Sequence, residues 1–297
     1  MPVTPRSRTA LTRRSALAAG TLGLTGAALA GSPAPAAPQG EENANPGAGR
    51  LNQSVCAWCF RGMSLDELCT LGTRLGLVGI DLLGPDDFET LKKYGLVCTM
   101  TRSHKLADGL CEPKFHDACL TELEAAIKAT AAEGWKNVIT FSGNARGIDR
   151  ATGLENCAKA LEQITPLAEK LNVTINMELL NSKVNHPDYM CDTSAWGVKL
   201  VDRVASDRFN LLYDMYHMQI MEGDLIRTIK THKEAFGHYH TAGNPGRHEL
   251  DDKQELQYRP IAAAIADTGF DGYFAHEFIP AGDPVKGLTD AVKLCTV

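Results

Sequence analysis

Four side chains that could bind a metal ion each stand at the end of a short apolar run. The runs are INMELL, LLYDMYH, HYHTAG and YFAHEFIP, and they contain Glu178, Asp214, His240 and Glu277. Such runs are typical of parallel strands buried on both faces, where a charged side chain is costly. A shared divalent cation would offset that cost, so the pattern predicts a metal site at the mouth of a barrel.

Two glutamates, one aspartate and one histidine offer oxygen and imidazole ligands without thiolate, a set that suits Mn²⁺, Co²⁺, Mg²⁺ or Zn²⁺. Four protein ligands leave room for substrate oxygens at the ion. Taken singly, each residue has an ordinary explanation, such as a salt bridge, a helix cap or a hydrogen-bonded core histidine. The hypothesis therefore depends on all four occurring at equivalent ends of consecutive strands.

The elements that must position these residues alternate along the chain after Leu51, with short apolar runs followed by stretches of helical period. This order favours an α/β fold, a single-domain (β/α)8 TIM barrel, over an open doubly wound sheet. No glycine-rich phosphate loop follows any of the runs. The eight strands are predicted at residues 54–60, 77–83, 96–102, 137–141, 173–180, 209–217, 236–242 and 272–278.

Helix ends are marked by capping residues. Ser64 and Glu67 form a capping box, and Gly76 ends the helix that follows it. Apolar spacing predicts another helix over 115–132. Pro166 predicts a break, or a second helix start, within residues 154–171.

The N-terminus has the composition of an export signal. Arg13 and Arg14 precede an uncharged stretch that ends in Ala28-Leu29-Ala30, which indicates the twin-arginine route for residues 1–30. An uncleaved anchor or a chance alanine-rich leader is the alternative. Residues 31–50 are predicted to be a flexible linker and 51–297 the barrel. We therefore expect an exported protein in the periplasm or another extracytoplasmic space.

The charge of the chain argues against two classes of partner. The full sequence has a formal net charge of -6, and its first 30 residues carry four arginines and no acidic residue, which leaves -10 on the remainder. A domain this acidic is a poor match for nucleic acid or anionic lipid. We expect no nucleic-acid partner and no membrane association of the mature form, and we leave open whether it forms a homo-oligomer.

The nine cysteines are an odd number, and several lie within apolar runs, so we predict buried and mostly reduced thiols. Cys56 and Cys59 form a C-x-x-C pair. Positions three apart on a strand point to opposite faces, and no second pair stands at zinc-finger spacing. A zinc or redox role for this pair is therefore disfavoured.

The segments MELLNSKVNHPDY, YDMYHMQIMEGD, HYHTAGNPGRHEL and FAHEFIP resemble those of hydroxypyruvate isomerase-like proteins in the xylose isomerase-like barrel superfamily. The resemblance extends over residues 55–280. It implies one divalent metal ion held by Glu178, Asp214, His240 and Glu277, with the two glutamates also acting as acid and base. Hydroxypyruvate isomerases generally carry Gln where this chain has His240, whereas ketose 3-epimerases of the superfamily carry His.

The expected activity is that of a sugar isomerase or epimerase. It would transfer a proton α to a metal-bound carbonyl through a cis-enediolate. The residues do not distinguish isomerisation from epimerisation. Four further residues are predicted to contact a small sugar or keto-sugar substrate: His217, Arg247, Asn181 and His104. Trp58 also lies near a strand exit, where it could line the pocket, but it is more simply explained as a core aromatic. His248 and Glu249 could continue the contacts of the Arg247 loop or bind each other.

Three alternative functions remain at this point. A metal-dependent lyase or hydrolase of 3-keto-glycosides would use the same α-proton abstraction, and free sugars or glycosides suit an exported enzyme better than cytoplasmic metabolites do. A barrel that only binds or senses a sugar would not need two acid/base carboxylates. Cleavage of damaged DNA, as in relatives of endonuclease IV, would require more histidines and a basic surface.

Overall fold

A computed structural model describes residues 49–297 of the chain. Eight parallel strands close into a barrel in chain order, each bonded to the next and β8 to β1. This confirms the predicted (β/α)8 barrel. The strands are β1 (Asn52–Cys56), β2 (Gly79–Leu83), β3 (Val97–Thr101), β4 (Asn137–Thr140), β5 (Thr174–Glu178), β6 (Phe209–Asp214), β7 (Phe236–Thr241) and β8 (Tyr273–His276).

The helices surround the barrel, and two of them, α6 and α7, follow β6. They are α1 (Leu65–Leu75), α2 (Phe88–Lys93), α3 (His116–Ala132), α4 (Arg150–Leu171), α5 (Ser194–Val204), α6 (Met215–Met221), α7 (Leu225–Thr231), α8 (Tyr258–Ala266) and α9 (Pro284–Cys295). Among the described residues no helix is long and apolar enough to cross a membrane. The predicted export signal at 1–30, and the predicted linker up to residue 48, lie outside the described residues.

The capping signals at α1 are confirmed. Ser64 accepts a hydrogen bond from the backbone N–H of Glu67, whose carboxylate accepts from the Ser64 backbone, and Gly76 ends the helix with a left-handed φ of 75°. The break predicted at Pro166 is wrong, because α4 is one continuous helix from Arg150 to Leu171. Its buried face, which includes Leu161, Ile164 and Ala168, packs on the barrel and outweighs the lost backbone hydrogen bond.

The strands end earlier than predicted where they meet the site. β6 stops at Asp214, whose carboxylate accepts the His217 backbone N–H and begins α6, so His217 lies on a helix and not on the strand. β8 stops at His276, one residue before Glu277. Because a capping carboxylate starts a new helix at once, the apolar residues that follow Asp214 belong to α6.

All nine cysteines lie within the described residues, and each is buried and free. Cys56 ends β1, and Cys59 lies in the short 3-10 turn that follows, so the pair is not carried by one strand. The prediction of buried, reduced thiols is therefore confirmed.

Candidate metal centre

The four predicted ligands converge at the carboxyl ends of β5 to β8. One ligand atom from each of Glu178, Asp214, His240 and Glu277 lies within 4.8 Å of the other three, and all four side chains are buried. Strand register brings them together, since Asp214 pairs directly with His240 across β6 and β7. Equivalent ends of neighbouring parallel strands meet at one rim of the barrel, which is why four separated sequence positions form one cluster.

The hydrogen bonds inside the cluster are incomplete. His240 Nδ1 lies 2.9 Å from Glu277 Oε2 and 3.4 Å from Glu178 Oε1. Glu178 Oε1 and Asp214 Oδ2 are buried oxygens without a hydrogen-bond partner in the described part of the chain. Buried carboxylate oxygens are normally paired, because leaving one unpaired costs several kcal/mol, roughly. The donor set and these two orphan oxygens fit a divalent cation.

Arg247 supplies the positive charge that lies nearest the carboxylates. Its Nη2 is 2.5 Å from Glu277 Oε2 and 3.6 Å from Asp214 Oδ2. The guanidinium also lies over the rings of Trp58 and Tyr216, at 5.2 and 5.4 Å from their centres. The predicted loop arginine is therefore part of the cluster.

The surroundings shift the pKa values of the two glutamates in opposite directions. Burial raises the pKa of Glu178. Burial also opposes the ionised form of Glu277, but Arg247 and His240 outweigh it and hold the pKa of Glu277 well below its usual range. Burial raises the pKa of Asp214 to about 8, with Arg247 acting against the shift. A pair of carboxyl groups with separated pKa values is the arrangement that acid/base chemistry uses.

His217 presents one free ring nitrogen to the site. Asn181 Oδ1 accepts the backbone N–H groups of Val184 and Asn185, which fixes the orientation of the amide, so Asn181 Nδ2 donates to His217 Nδ1 at 2.5 Å. The His217 proton therefore sits on Nε2, which is buried without a hydrogen-bond partner among residues 49–297 and lies 3.7 Å from Asp214 Oδ2. Burial lowers the pKa of His217 well below its usual value, which keeps the ring neutral.

His104 and the two loop residues His248 and Glu249 contact groups outside the four-ligand cluster. His104 hydrogen-bonds to Thr140 Oγ1 and to the Lys105 carbonyl, neither of which belongs to the cluster, and its role in substrate binding stays a prediction. Glu249 accepts the backbone N–H groups of Ala281 and Gly282. His248 Nδ1 bonds to the carbonyl of Ile279. Both loop residues therefore hold the segment after β8.

Two residues of the site are missing from the predicted set. Trp58, explained from the sequence as a core aromatic, is half-buried and donates from Nε1 to Glu277 Oε1 at 2.9 Å. Asp81, on β2, is fully buried with Oδ2 at 2.8 Å from His240 Nε2. Asp81 carries a related signal, an acid in the middle of the apolar run VGIDLLG. Nothing comparable distinguishes Trp58.

The chain is similar in sequence to several known isomerases. The hydroxypyruvate isomerase of Escherichia coli (strain K12) is 28% identical over 204 residues, which cover 65% of this chain and 70% of that protein. The putative hydroxypyruvate isomerase of Homo sapiens is 30% identical over 172 residues, 56% of this chain and 62% of its own length. The match to its Xenopus laevis counterpart, at 36% identity, covers 38% of this chain and 41% of that protein.

Solved structures show the same fold at lower identity. The 3-keto-D-glucoside 4-epimerase of E. coli superposes with a TM-score of 0.71 at 19% identity, over 83% of this chain and all of that one. A family model described as a xylose isomerase-like TIM barrel matches residues 89–295. Because that match spans well over half of the sequence, the chain belongs to the xylose isomerase-like TIM-barrel family.

Proposed function

We propose that this protein is a sugar isomerase or epimerase that depends on one divalent metal ion, Mn²⁺, Co²⁺, Mg²⁺ or Zn²⁺. The observation that carries the proposal is the convergence of four buried ligands, two of them with orphan oxygens, at the carboxyl rim of the barrel. Similarity to hydroxypyruvate isomerases and 2-oxo-tetronate isomerases supports the reaction class.

Glu178 and Glu277 would move the proton. One carboxylate removes it from the carbon next to the substrate carbonyl, and the other, or the same one, returns it. A divalent cation bound to the four ligands would act as a Lewis acid that polarises that carbonyl. The separated pKa values of the two glutamates suit one proton acceptor and one proton donor.

His217 and Arg247 would orient the substrate. The buried Nε2–H of His217 has no partner in the described residues and can donate to a substrate hydroxyl. Arg247 can donate to a hydroxyl or a carboxylate while it stays between Trp58 and Tyr216. Asn181 then acts through His217, because its amide fixes the tautomer that makes Nε2 the donor.

A lyase or hydrolase acting on 3-keto-glycosides is the second candidate. A cleft of about 420 Å³ beside the site is lined by Trp58, Phe60, Met63 and Ile279, among others. Its apolar walls could accept the leaving group of a glycoside, and Trp58 links the cleft to Glu277. Elimination would then replace return of the proton.

Solvent exchange tests the proposal. The purified protein, with Mn²⁺ and after chelation, is incubated in D₂O with ketoses, aldoses and 3-keto-glycosides and followed by NMR. We expect metal-dependent entry of deuterium α to a carbonyl, with an isomer as product in the first case and a released aglycone in the second. Absence of exchange and of any product across the panel would refute the proton-transfer function.

We also propose export by the twin-arginine route, which would bring the enzyme to the periplasm or another extracytoplasmic space. Replacing both Arg13 and Arg14 by lysine should retain the protein in the cytoplasm, as measured by cell fractionation. An unchanged distribution would contradict this route.

A further inference from the structure

Asp81 is a fully buried carboxylate inside the barrel, on the opposite side of the His240 ring from the proposed ligands. It lies on β2 and pairs in register with Cys56 on β1. A charge at such a position costs several kcal/mol, roughly, unless its oxygens are matched by donors. The groups that contact the two oxygens of Asp81 therefore indicate its role.

Both oxygens of Asp81 are matched. Thr99 Oγ1 donates to Oδ1 at 2.5 Å, and His240 Nε2 lies 2.8 Å from Oδ2. The Cys56 thiol, at 3.6 Å, is a weaker donor to Oδ2. His238 Nε2 is 3.3 Å from Oδ1. The shortest contact to a ring nitrogen is the one to His240.

Both ring nitrogens of His240 therefore face carboxylate groups. Its Nδ1 faces Glu277 and Glu178, while its Nε2 faces Asp81. A neutral imidazole offers a lone pair on one nitrogen only when its proton is on the other. Both ring nitrogens face carboxylate acceptors, Nε2 at Asp81 and Nδ1 at Glu277. Because Asp81 holds one proton at Nε2, a cation that displaces the Nδ1 proton would meet the Nδ1 lone pair.

We propose that Asp81 is a positioning residue that holds the His240 ring and its Nε2 proton so that Nδ1 can bind the divalent cation. This inference rests on the proposed function. Carboxylates that accept the second N–H of a metal-binding histidine raise the basicity of the ligand, and their loss typically weakens metal binding by roughly 10- to 100-fold.

A second metal ion is the competing explanation, because atoms of Cys56, Asp81 and His240 also lie within 4.8 Å of one another. The hydrogen bonds argue against it. Each of these three side chains has a partner, whereas the orphan oxygens near His240 belong to Glu178 and Asp214. The cluster around Asp81 is thus a hydrogen-bond network, and the carboxylate oxygens that lack a hydrogen-bond partner in the described residues lie on the Nδ1 side.

A double-mutant cycle on the full chain tests the role of Asp81. Mn²⁺ affinity is measured by calorimetry for the wild type, Asp81→Asn, His240→Gln and the double variant, with melting curves to verify folding. In the wild-type background, Asp81→Asn should weaken Mn²⁺ binding about 10- to 100-fold. In the His240→Gln background it should weaken binding less than about 3-fold, because Gln has no ring tautomer for Asp81 to fix. The control Ser54→Ala removes a buried barrel hydroxyl that has no hydrogen-bond partner in the described residues and should bind like the wild type.

A spectroscopic readout accompanies the cycle. With Zn²⁺ bound, ¹⁵N-histidine NMR should show a protected His240 Nε2–H in the wild type that is lost or exchange-broadened in Asp81→Asn. Equal losses of affinity in both backgrounds, an unchanged Nε2–H, or two metal ions per chain would overturn the proposal. If the wild type binds no metal, the result refutes the proposed metal-dependent function. If the wild type binds metal but one of the outcomes above is seen, only the role of Asp81 is refuted.

Discussion

Glu178 and Glu277 have the same side chain and sit on the same rim, yet their environments differ. Glu277 receives hydrogen bonds from Trp58 and Arg247, whereas Glu178 keeps a buried oxygen without a partner in the described residues. Donors stabilise the ionised form, and burial without them stabilises the neutral form. The proposed roles of the two residues in proton transfer rest on these neighbours.

Replacing either glutamate by glutamine should remove its acid/base function. We expect Glu178→Gln and Glu277→Gln each to lower kcat at least about 100-fold, because glutamine cannot accept or return a proton. The measurement is the rate of deuterium exchange. The control Glu124→Gln, at an exposed carboxylate paired with Lys128, should retain the wild-type rate. Wild-type exchange in both site variants would contradict the catalytic assignment.

Metal affinity should rise with pH. Burial raises the pKa of Asp214 to about 8, so this carboxyl group carries a proton at neutral pH that a cation must displace, and burial shifts the pKa of Glu178 in the same direction. Below these pKa values protons compete with the metal, and above them the competition ends. Between pH 6 and 8 the Kd for Mn²⁺ should fall by about tenfold per pH unit for each proton displaced. Calorimetry in buffers of different ionisation enthalpy measures the proton release, and a Kd independent of pH would contradict it.

The ligand residues could be predicted because each is a charge that ends an apolar run. Asp81 carries a similar signal in the middle of a predicted strand, but its pairing with His240 depends on which faces of β2 and β7 point inward, and that follows from barrel closure. For Trp58 the sequence favours a core position over a place in the pocket, since an aromatic beside an apolar run is ordinary. Its contact with Glu277 joins positions 219 residues apart.

Strands and helix caps could be predicted from the sequence more reliably than the points at which a helix breaks or a strand ends. All eight strands overlap their predicted ranges, because buried parallel strands have a strong compositional signal. The break at Pro166 was wrong, since a local rule about one residue was applied to a helix of 22 residues whose buried face holds it in place. The end of β6 at Asp214 depends on a cap that competes with strand continuation.

Close approach of β2 and β3 requires glycine at position 79. A Cβ there would lie 2.2 Å from the carbonyl oxygen of Val97, which is backbone and cannot rotate away. Gly79→Ala should therefore lower the free energy of unfolding by about 1–3 kcal/mol. Gly62→Ala is the matched control, since its Cβ would meet nothing within 4 Å, and its change should stay within about 0.5 kcal/mol. Urea denaturation measures both, and equal values for the two variants would contradict the packing argument.

For the molecule as a whole, metal binding and folding should be linked. A cation held only by the closed barrel stabilises it by about 2.7 kcal/mol at a concentration of 100 times Kd. For a domain of this size that corresponds to a rise in Tm of about 5–10 °C. Melting curves with Mn²⁺ and with chelator measure the shift. Asp214→Asn should reduce it, and an equal shift in that variant would place the ion elsewhere.

If four strand ends form one divalent metal centre, anomalous diffraction from crystals grown with Mn²⁺ will locate the ion. We predict a single anomalous peak within about 2.0–2.3 Å of ligand atoms from Glu178, Asp214, His240 and Glu277. The ion should lie on the Nδ1 side of His240. No peak at this rim, or a peak between Cys56 and Asp81 instead, would contradict the account.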